Sequence, residues 1–360
     1  MAGSDGTSPR DLRVLDAIRR GIVIPAHPLA LTASRKLDER RQRGLSRYYV
    51  AAGAGGLAVG VHTTQFAIRD PRYGLHRPVL EIAAEEMRRA EEGRNEPLVG
   101  IAGVCGPTPQ AVREAELAGL LGYDAALVSL GALRAATDDD LVAHCRAVAD
   151  VLPVMGFYLQ PAVGGRRLGP RFWRAFCELP RAVAIKIAPF NRYQTLDVVR
   201  AVVESGRDDL ALYTGNDDSI VVDLITPWRL RRDDRTVERR IVGGLLGHWA
   251  FWTREAVDIH RTCRGVADGG GDVPTDLLRT AVEVTDANAA VFDAAGDFRG
   301  CIPGIHEVLR RQGLLEGTWC LDPAEALSPG QAEEIDRVIR AYPHLRDDDL
   351  VAANLDAWLA

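Results

Sequence analysis

Along most of the chain, short runs of apolar and β-branched residues alternate with longer stretches whose apolar positions recur at helical spacing. The runs are GIVIP (21–25), GLAVG (56–60), PLVGIAG (97–103), DAALVSL (124–130), PVMGFY (153–158), AVAIKI (182–187), LALYT (210–214) and IVGGLLG (241–247). Between them the periodicity predicts helices near 36–53, 78–92, 109–121, 139–151, 170–178, 194–205 and 217–225, with an eighth over 253–264. Apolar strands that are each followed by a helix are the pattern of repeated βα units over a parallel sheet. Eight such units predict a closed (β/α)8 TIM barrel, an α/β fold, over residues 21–265. The segment TPQAVREAELAGLLG carries the helical signals together: a threonine cap, a proline near the first turn, an apolar face and a terminal glycine.

Past residue 265 the pattern changes. GVADGGGDVP reads as a flexible linker, and 276–360 as a C-terminal helical region punctuated by Gly and Pro at 303–304, 313, 317 and 329–330. Residues 1–20 read as an N-terminal tail, and its start, MAGSDGTSPRD, lacks the apolar core of a signal peptide. The charged segment RLRRDDRTVERR (229–240) reads as a solvent-exposed loop inserted before the last strand.

Composition narrows the class. A hydrophobic fraction of 47% and a charged fraction of 26% describe a soluble globular chain. The net charge of −6 argues against nucleic acid or an anionic membrane as partner. No run approaches the ~18 apolar residues of a membrane span. The six cysteines, at 105, 145, 177, 263, 301 and 320, form no C-x-x-C pair, which predicts a reduced, cytoplasmic protein without a disulfide framework. The eight histidines show no H-x-H or H-E-x-x-H spacing, so no protein-held metal is expected.

One residue breaks the apolar pattern. Of 44 Lys and Arg residues only Lys36 and Lys186 are lysines, and Lys186 stands inside the sixth run, AVAIKIAPF. Alternation along a strand puts it on one face with Ala184 and Ala188, and Val183, Ile185 and Ile187 on the other. In a barrel the branched set packs on the outer helices, and the lysine projects inward near the strand's C-terminal end, where barrel active sites are built. A desolvated amine has a lowered pKa and condenses with carbonyls to form a Schiff base. Burial against a carboxylate, or snorkelling to the surface, are the other readings of such a lysine. A chain that uses arginine for its other cations could have used it for an ion pair, but arginine cannot serve as the nucleophile.

Tyr158, at the end of the fifth run, could place a hydroxyl in the barrel mouth and shuttle protons, or simply pack in the core. After the second run, GVHTTQF offers His62, Thr63 and Thr64, whose hydroxyls and backbone N–H groups could hold a small carboxylate or only shape a polar turn.

Taken together, these pieces resemble the dihydrodipicolinate synthase / N-acetylneuraminate lyase family, pyruvate-dependent class I aldolases on a (β/α)8 barrel. GIVIPAHPLALTASRKLD resembles the family's opening strand and loop, AAGAGGLAVGVHTTQF its second strand and carboxylate-binding turn, and GVCGPTPQAVREAELAGLLGYDAALV its third strand, helix and fourth strand. Tyr158 and Lys186 stand 28 residues apart, the family spacing of its tyrosine and Schiff-base lysine. YTGNDD (213–218) is similar to the G-D-D turn that follows, and CIPGIHEVLRRQGLLEG and LSPGQAEEIDRVI to the C-terminal helices. Order and spacing carry the resemblance, since no single motif is diagnostic.

The resemblance implies that Lys186 forms an imine with pyruvate or another 2-oxo acid, that Tyr158 relays protons, and that Thr63 holds the carboxylate with the backbone of His62 and Thr63. It implies that Gly215 lines the pocket through its main chain. It further implies a small-molecule 2-oxo acid and an aldehyde as reactants, no cofactor beyond the lysine imine, and a homo-oligomer, a dimer or tetramer. Departures from the family pattern limit this. The G-T-T-G-E turn is Val61-His62-Thr63-Thr64-Gln65, the paired relay tyrosines fall on Ala132 and Leu133, and the arginine of the synthases falls on Val163, with Arg166 and Arg167 nearby. YLQPAVGG is closer to the lyases and hydratase-aldolases. The expected activity is therefore a Schiff-base aldolase or lyase acting on a 2-oxo acid. The alternatives are a hydratase-aldolase or 2-keto-3-deoxy acid dehydratase using the same imine, and a non-catalytic 2-oxo acid-binding barrel. The pocket rim is expected from 130–137, AVGGRRLG and the 228–240 insertion.

Overall fold

The computed structural model describes residues 8–360. Its eight-stranded sheet is all parallel, built from β1 (Val23–Pro25), β2 (Gly56–Val59), β3 (Val99–Val104), β4 (Ala125–Val128), β5 (Val154–Leu159), β6 (Ala182–Ala188), β7 (Ala211–Thr214) and, after a separate hairpin, β10 (Gly243–Leu246). The sheet runs in the order β1-β10-β7-β6-β5-β4-β3-β2. A parallel bridge between Ala26 and Ala58, with His27 N–H donating to Ala58 O at 2.9 Å and Gly55 N–H to Val23 O at 3.0 Å, joins its two ends into a barrel. Between the strands lie α2 (Glu39–Ala52), α3 (His76–Glu91), α4 (Thr108–Leu121), α5 (Asp138–Ala149), α6 (Pro170–Cys177), α7 (Arg192–Ser205), α8 (Ile220–Ile225) and α9 (Thr253–Gly269). The periodicity read from the sequence thus corresponds to a (β/α)8 barrel.

Two buried clusters follow from strand alternation. The outer one joins Ile185, Ile187, Leu212 and Val128 to the helices, and continues into the C-terminal helices α10 (Thr275–Val291), α11 (Cys301–Arg311), α12 (Gln331–Ala341) and α13 (Asp348–Trp358). The inner one fills the barrel with Ile24, Val99, Ile101, Leu127, Met155 and Ala184.

That inner cluster also contains Val14, Ala17 and Ile18, which corrects the expectation of a tail over residues 1–20. Residues 1–7 lie outside the described residues. Pro9–Arg20 form a helix, α1, whose apolar stripe plugs the N-terminal end of the barrel. Its start is a capping box: Ser8 Oγ accepts from Asp11 N–H at 3.1 Å and Asp11 accepts from Ser8 N–H at 3.0 Å.

Two further expectations change. The segment 229–240 is no loop: β8 (Trp228–Arg232) and β9 (Arg235–Arg239) pair antiparallel, with Arg232 opposite Arg235. The two-residue turn between them starts at Asp233 with φ 53°, a conformation that suits a tight hairpin. The linker shrinks to 270–274, because α9 runs to Gly269. The C-terminal region is pinned by a buried carboxylate: Asp347 accepts from Tyr48 Oη–H at 2.7 Å and Arg254 N–H at 3.0 Å, and Tyr48 Oη accepts from Thr253 N–H at 2.8 Å. Among the described residues no helix is long and apolar enough to cross a membrane.

The plug makes α1 part of the core. Ile18→Ala, at a side chain 1% exposed, is expected to cost about 3 kcal/mol. A thermal melt checks it: the midpoint falls by about 5 °C or more, whereas a detached tail would leave it unmoved.

Candidate active site

β6 carries Ala184, Lys186 and Ala188 on its inner face, and Ala184 and Ala188 belong to the inner cluster while Ile185 and Ile187 belong to the outer. Lys186 is buried, 8% exposed, with Nζ 4.4 Å from the centroid of the Phe157 ring. Among the described residues no carboxylate stands within ion-pair distance of that nitrogen. Burial lowers its pKa from the ordinary lysine value, and the charge of Asp217 offsets part of the shift. Room for the side chain comes from Gly215 after β7, where a Cβ would stand 2.7 Å from Lys186 Cε and 2.7 Å from Ala188 Cβ.

Two residues on, Asp217 faces the same cavity. Burial raises its pKa, while the His248 N–H donating to Oδ1 at 3.0 Å and the nearby Lys186 draw it back. Its backbone carbonyl accepts from Asn288 Nδ2 at 2.7 Å, and Asn288 Oδ1 lies 2.7 Å from His248 Nδ1. One α10 side chain thus fixes both turns that hold the carboxylate.

The turn after β2 is a short 3-10 segment, His62–Thr64. Thr64 Oγ1 donates to His27 O at 2.7 Å and accepts from Gly60 N–H at 3.0 Å, so it shapes the turn and does not line the cavity. Thr63 lines the cavity, but its hydroxyl donates to Ala26 O at 2.7 Å. A hydroxyl has one proton, so Thr63 presents lone pairs to the cavity in this arrangement. Donors for an anion there would be the N–H groups of His62 and Thr63, which as the first residues of the turn have no intrahelical acceptor. His62 lines the cavity, its imidazole lowered to about 4 by burial and by the Lys186 charge, and is neutral at pH 7.

Tyr158 is placed elsewhere. Across β5 and β6 it is Phe157 that pairs with Lys186, and Tyr158 pairs with Ile187 on the outer face. Its ring packs 5.5 Å from that of Trp173 on α6, and its hydroxyl accepts from Leu168 N–H at 3.3 Å. The family spacing is present in the sequence, yet β5 alternates without a break, with Met155, Phe157 and Leu159 in the inner cluster and Val154 and Tyr158 in the outer, and the register shift that passes over Val183 of β6 sets Phe157 opposite Lys186. The phenol does not reach the cavity.

The rim also differs from expectation. Gln160 and Val163 line it from the loop after β5, but Arg166 donates to the carbonyls of Leu133 and Ala136 and joins two loops, and Arg167 is exposed. The hairpin lies along the flank, where Arg232 donates to Val203 O and Arg239 to Leu210 O. The remaining walls are Phe190, after β6, and three C-terminal residues, Phe292, Phe298 and Cys301. Sequence reasoning missed these three and Asp217. The cavity encloses about 590 Å³, open mouth included. Among the described residues no group of three or more His, Cys, Asp or Glu side chains is arranged to hold a metal ion.

Fold and site together define a (β/α)8 barrel with an isolated buried amine at its C-terminal mouth. No family model matches the chain. The 4-hydroxy-tetrahydrodipicolinate synthases of two Bifidobacterium longum strains are 27% identical over 212 residues, 58% of this chain and 65% of theirs, so the chain spans about two thirds of those relatives. Among solved structures, dihydrodipicolinate synthase from Acinetobacter baumannii complexed with pyruvate aligns with a TM-score of 0.70 at 17% identity, over 89% of this chain and 98% of that one. The synthase from Cyanidioschyzon merolae with lysine bound gives 0.70 at 20% identity, over 90% and 98%. The chain is thus similar in sequence to dihydrodipicolinate synthases over part of its length, and similar in fold to solved dihydrodipicolinate synthases.

The close approach at Gly215 gives a test of the amine's placement. Gly215→Ala is expected to leave the circular dichroism spectrum unchanged and to slow reductive trapping of pyruvate on Lys186 by ~10- to 100-fold, because Cβ displaces the reacting nitrogen. Peptide mass analysis after borohydride treatment reads the outcome.

Proposed function

We propose that this protein is a Schiff-base (class I) aldolase or lyase acting on pyruvate or a related 2-oxo acid. The observation that carries the reading is Lys186: buried, inward, without an ion-pair partner among the described residues, and opening on a cavity. The neutral amine attacks the ketone carbon. With one proton taken up, the carbinolamine loses water and leaves a protonated imine. That cation draws electrons from the neighbouring carbon, so a base can remove a proton there to give the enamine. The enamine carbon then attacks an aldehyde: a C–C bond forms, the C=O π bond breaks, and the new alkoxide takes up a proton. Hydrolysis of the imine returns Lys186. The reverse sequence cleaves an aldol, and loss of the hydroxyl as water instead would make the protein a dehydratase.

Asp217 is the group we assign to the proton transfers. It is the one carboxylate among the described residues that line the cavity, and burial holds its pKa above the ordinary carboxylate range, toward the pH at which acid and base forms both exist. His62, already neutral, and the N–H groups beside it suit the substrate carboxylate. The outward Tyr158 favours a second reading, a barrel that binds a 2-oxo acid without turnover.

Borohydride trapping with pyruvate is expected to label Lys186, and Lys186→Arg to abolish labelling with the fold intact. Labelling elsewhere, or none, would remove the aldolase reading. The trapping rate should rise with pH through an inflection below the ordinary lysine value of about 10.4. Because a carboxylate stabilises the ammonium form, Asp217→Asn should move that inflection lower still. Exchange of the pyruvate methyl protons in D2O, followed by NMR, separates the two readings. The enzyme exchanges them, and Asp217→Asn slows exchange about 100-fold while trapping persists. A binder traps pyruvate and shows no exchange in the wild type.

A further inference from the structure

The cavity lining is rich in phenyl rings. Phe190, Phe292 and Phe298 line it together with Lys186, and Phe157 lies beneath the amine. They come from three separate segments of the chain: β5, the loop after β6, and the connection between α10 and α11. Phe190 and Phe298 meet edge to face at 5.6 Å and an interplanar angle of 73°, and Phe292 is backed by Phe251 at 6.0 Å.

Two of these rings are held against backbone preference. Phe190 has φ 53° and Phe298 φ 63°, the left-handed region that bulky residues rarely occupy. Each is fixed by its own N–H. That of Phe190 donates to Asn216 Oδ1 at 3.0 Å, and Asn216 is itself held through Nδ2 by Thr195 Oγ1 at 3.1 Å and Asp223 Oδ2 at 2.9 Å. That of Phe298 donates to Asp293 O at 2.9 Å, and the Asp293 carboxylate accepts from Gly300 N–H at 3.0 Å and Ser328 Oγ–H at 2.6 Å. Strain retained at two aromatic positions over one cavity, each locked by a buried polar network, marks a built surface.

The charges say what that surface excludes. All but two of the 44 Lys and Arg residues are arginine, yet no arginine lines the cavity. Its basic side chains are Lys186, which the imine occupies, and His62, which is neutral. A second carboxylate on the substrate would lie among phenyl rings and beside Asp217 with no cation to meet it, at a cost of desolvation and repulsion. A polyhydroxylated chain would leave most of its hydroxyls facing rings. A flat apolar group would instead make edge and face contacts with rings already in place.

We infer that the second substrate, or the group carried on the 2-oxo acid, is an uncharged aromatic, and that Phe190 and Phe298 form the clamp that selects it. This rests on the Schiff-base reading of Lys186, and the test separates the two. The full-length protein is incubated with cyanoborohydride and graded concentrations of pyruvate, 2-oxoglutarate or 2-oxo-4-phenylbutanoate, and labelling of the Lys186 peptide is measured by mass spectrometry. Half-maximal labelling by the phenyl acid is expected at a concentration at least tenfold below that for either of the others. Phe298→Gly, which suits the left-handed backbone and so keeps the fold, should raise the phenyl acid's half-maximal concentration about tenfold more than pyruvate's. Phe298→Tyr should restore the preference. Labelling by pyruvate with 2-oxoglutarate equal to or ahead of the phenyl acid overturns the aromatic inference and leaves the Schiff base standing. A Phe298→Gly shift shared equally by all three acids does the same. No labelling of Lys186 by any acid removes both.

Discussion

A protonated amine taken out of water without a partner costs several kcal/mol, and a protein meets that cost by pairing the charge or by giving up the proton. Lys186 is placed where the second course is favoured. The ring of Phe157 lies under Nζ, and the one nearby carboxylate, Asp217, is itself buried and raised in pKa. Neither group is comfortable in its charged form, and each moderates the other. The pair therefore holds a proton loosely, the property that the proposed imine formation and α-proton transfer would require. Much of the surrounding structure serves this balance: Gly215 clears the path of the side chain, and His62 stays neutral so that no second cation adds to the repulsion.

The balance depends on dryness, and the barrel alone does not supply it. Strand ends in a (β/α)8 barrel open to solvent, and here the C-terminal helices close the opening. Phe292, Phe298 and Cys301 complete the cavity wall, and Asn288 ties α10 to the Asp217 carbonyl and to His248. Gln65, at the position where the resembled family has glutamate, accepts from Leu321 N–H at 2.7 Å and anchors the returning chain to the turn that carries His62. The region that reads in sequence as an appendage is thus part of the site, and the electrostatics of Lys186 depend on it.

How much of this could be read from the sequence follows from which constraint fixes each feature. Strand and helix order was legible because burial on both faces leaves an apolar run. The inward direction of Lys186 was legible because alanines flank it at alternate positions. Tyr158 was misread for a related reason: the 28-residue spacing takes no account of the extra residue at Val183 in β6, which sets Phe157 opposite Lys186 and leaves no mark in composition. The hairpin over 228–239 hides because arginines occupy its outward positions, although the alternation of Trp228 and Leu230 with Arg229 and Arg231 was available to be seen. The rim was legible only in part: Val163, in the AVGGRRLG stretch, lines the cavity, whereas Phe298 reaches it through a chain path of more than a hundred residues beyond Lys186. Asp217 was within reach: it lies two residues beyond Gly215, in the turn already singled out.

The near-exclusive use of arginine makes sense beside this. Arg207 donates at once to the carbonyls of Cys177, Leu179 and Ala182, and Arg69 joins Gly60 O and Gly103 O while pairing with Glu114. A planar guanidinium can close several open carbonyls in fixed directions and never loses its charge, which is what strand ends and helix termini need. Those same properties would disqualify it at position 186 for the proposed imine chemistry, which needs a group that sheds a proton and offers a lone pair. Lysine is poorer at stitching backbone and better at titrating. A chain that confines it to one exposed loop and one barrel wall has separated the two tasks by residue type. The titration of Lys186 is then set by its burial and by the charge of Asp217, and the arginines are left to hold the walls.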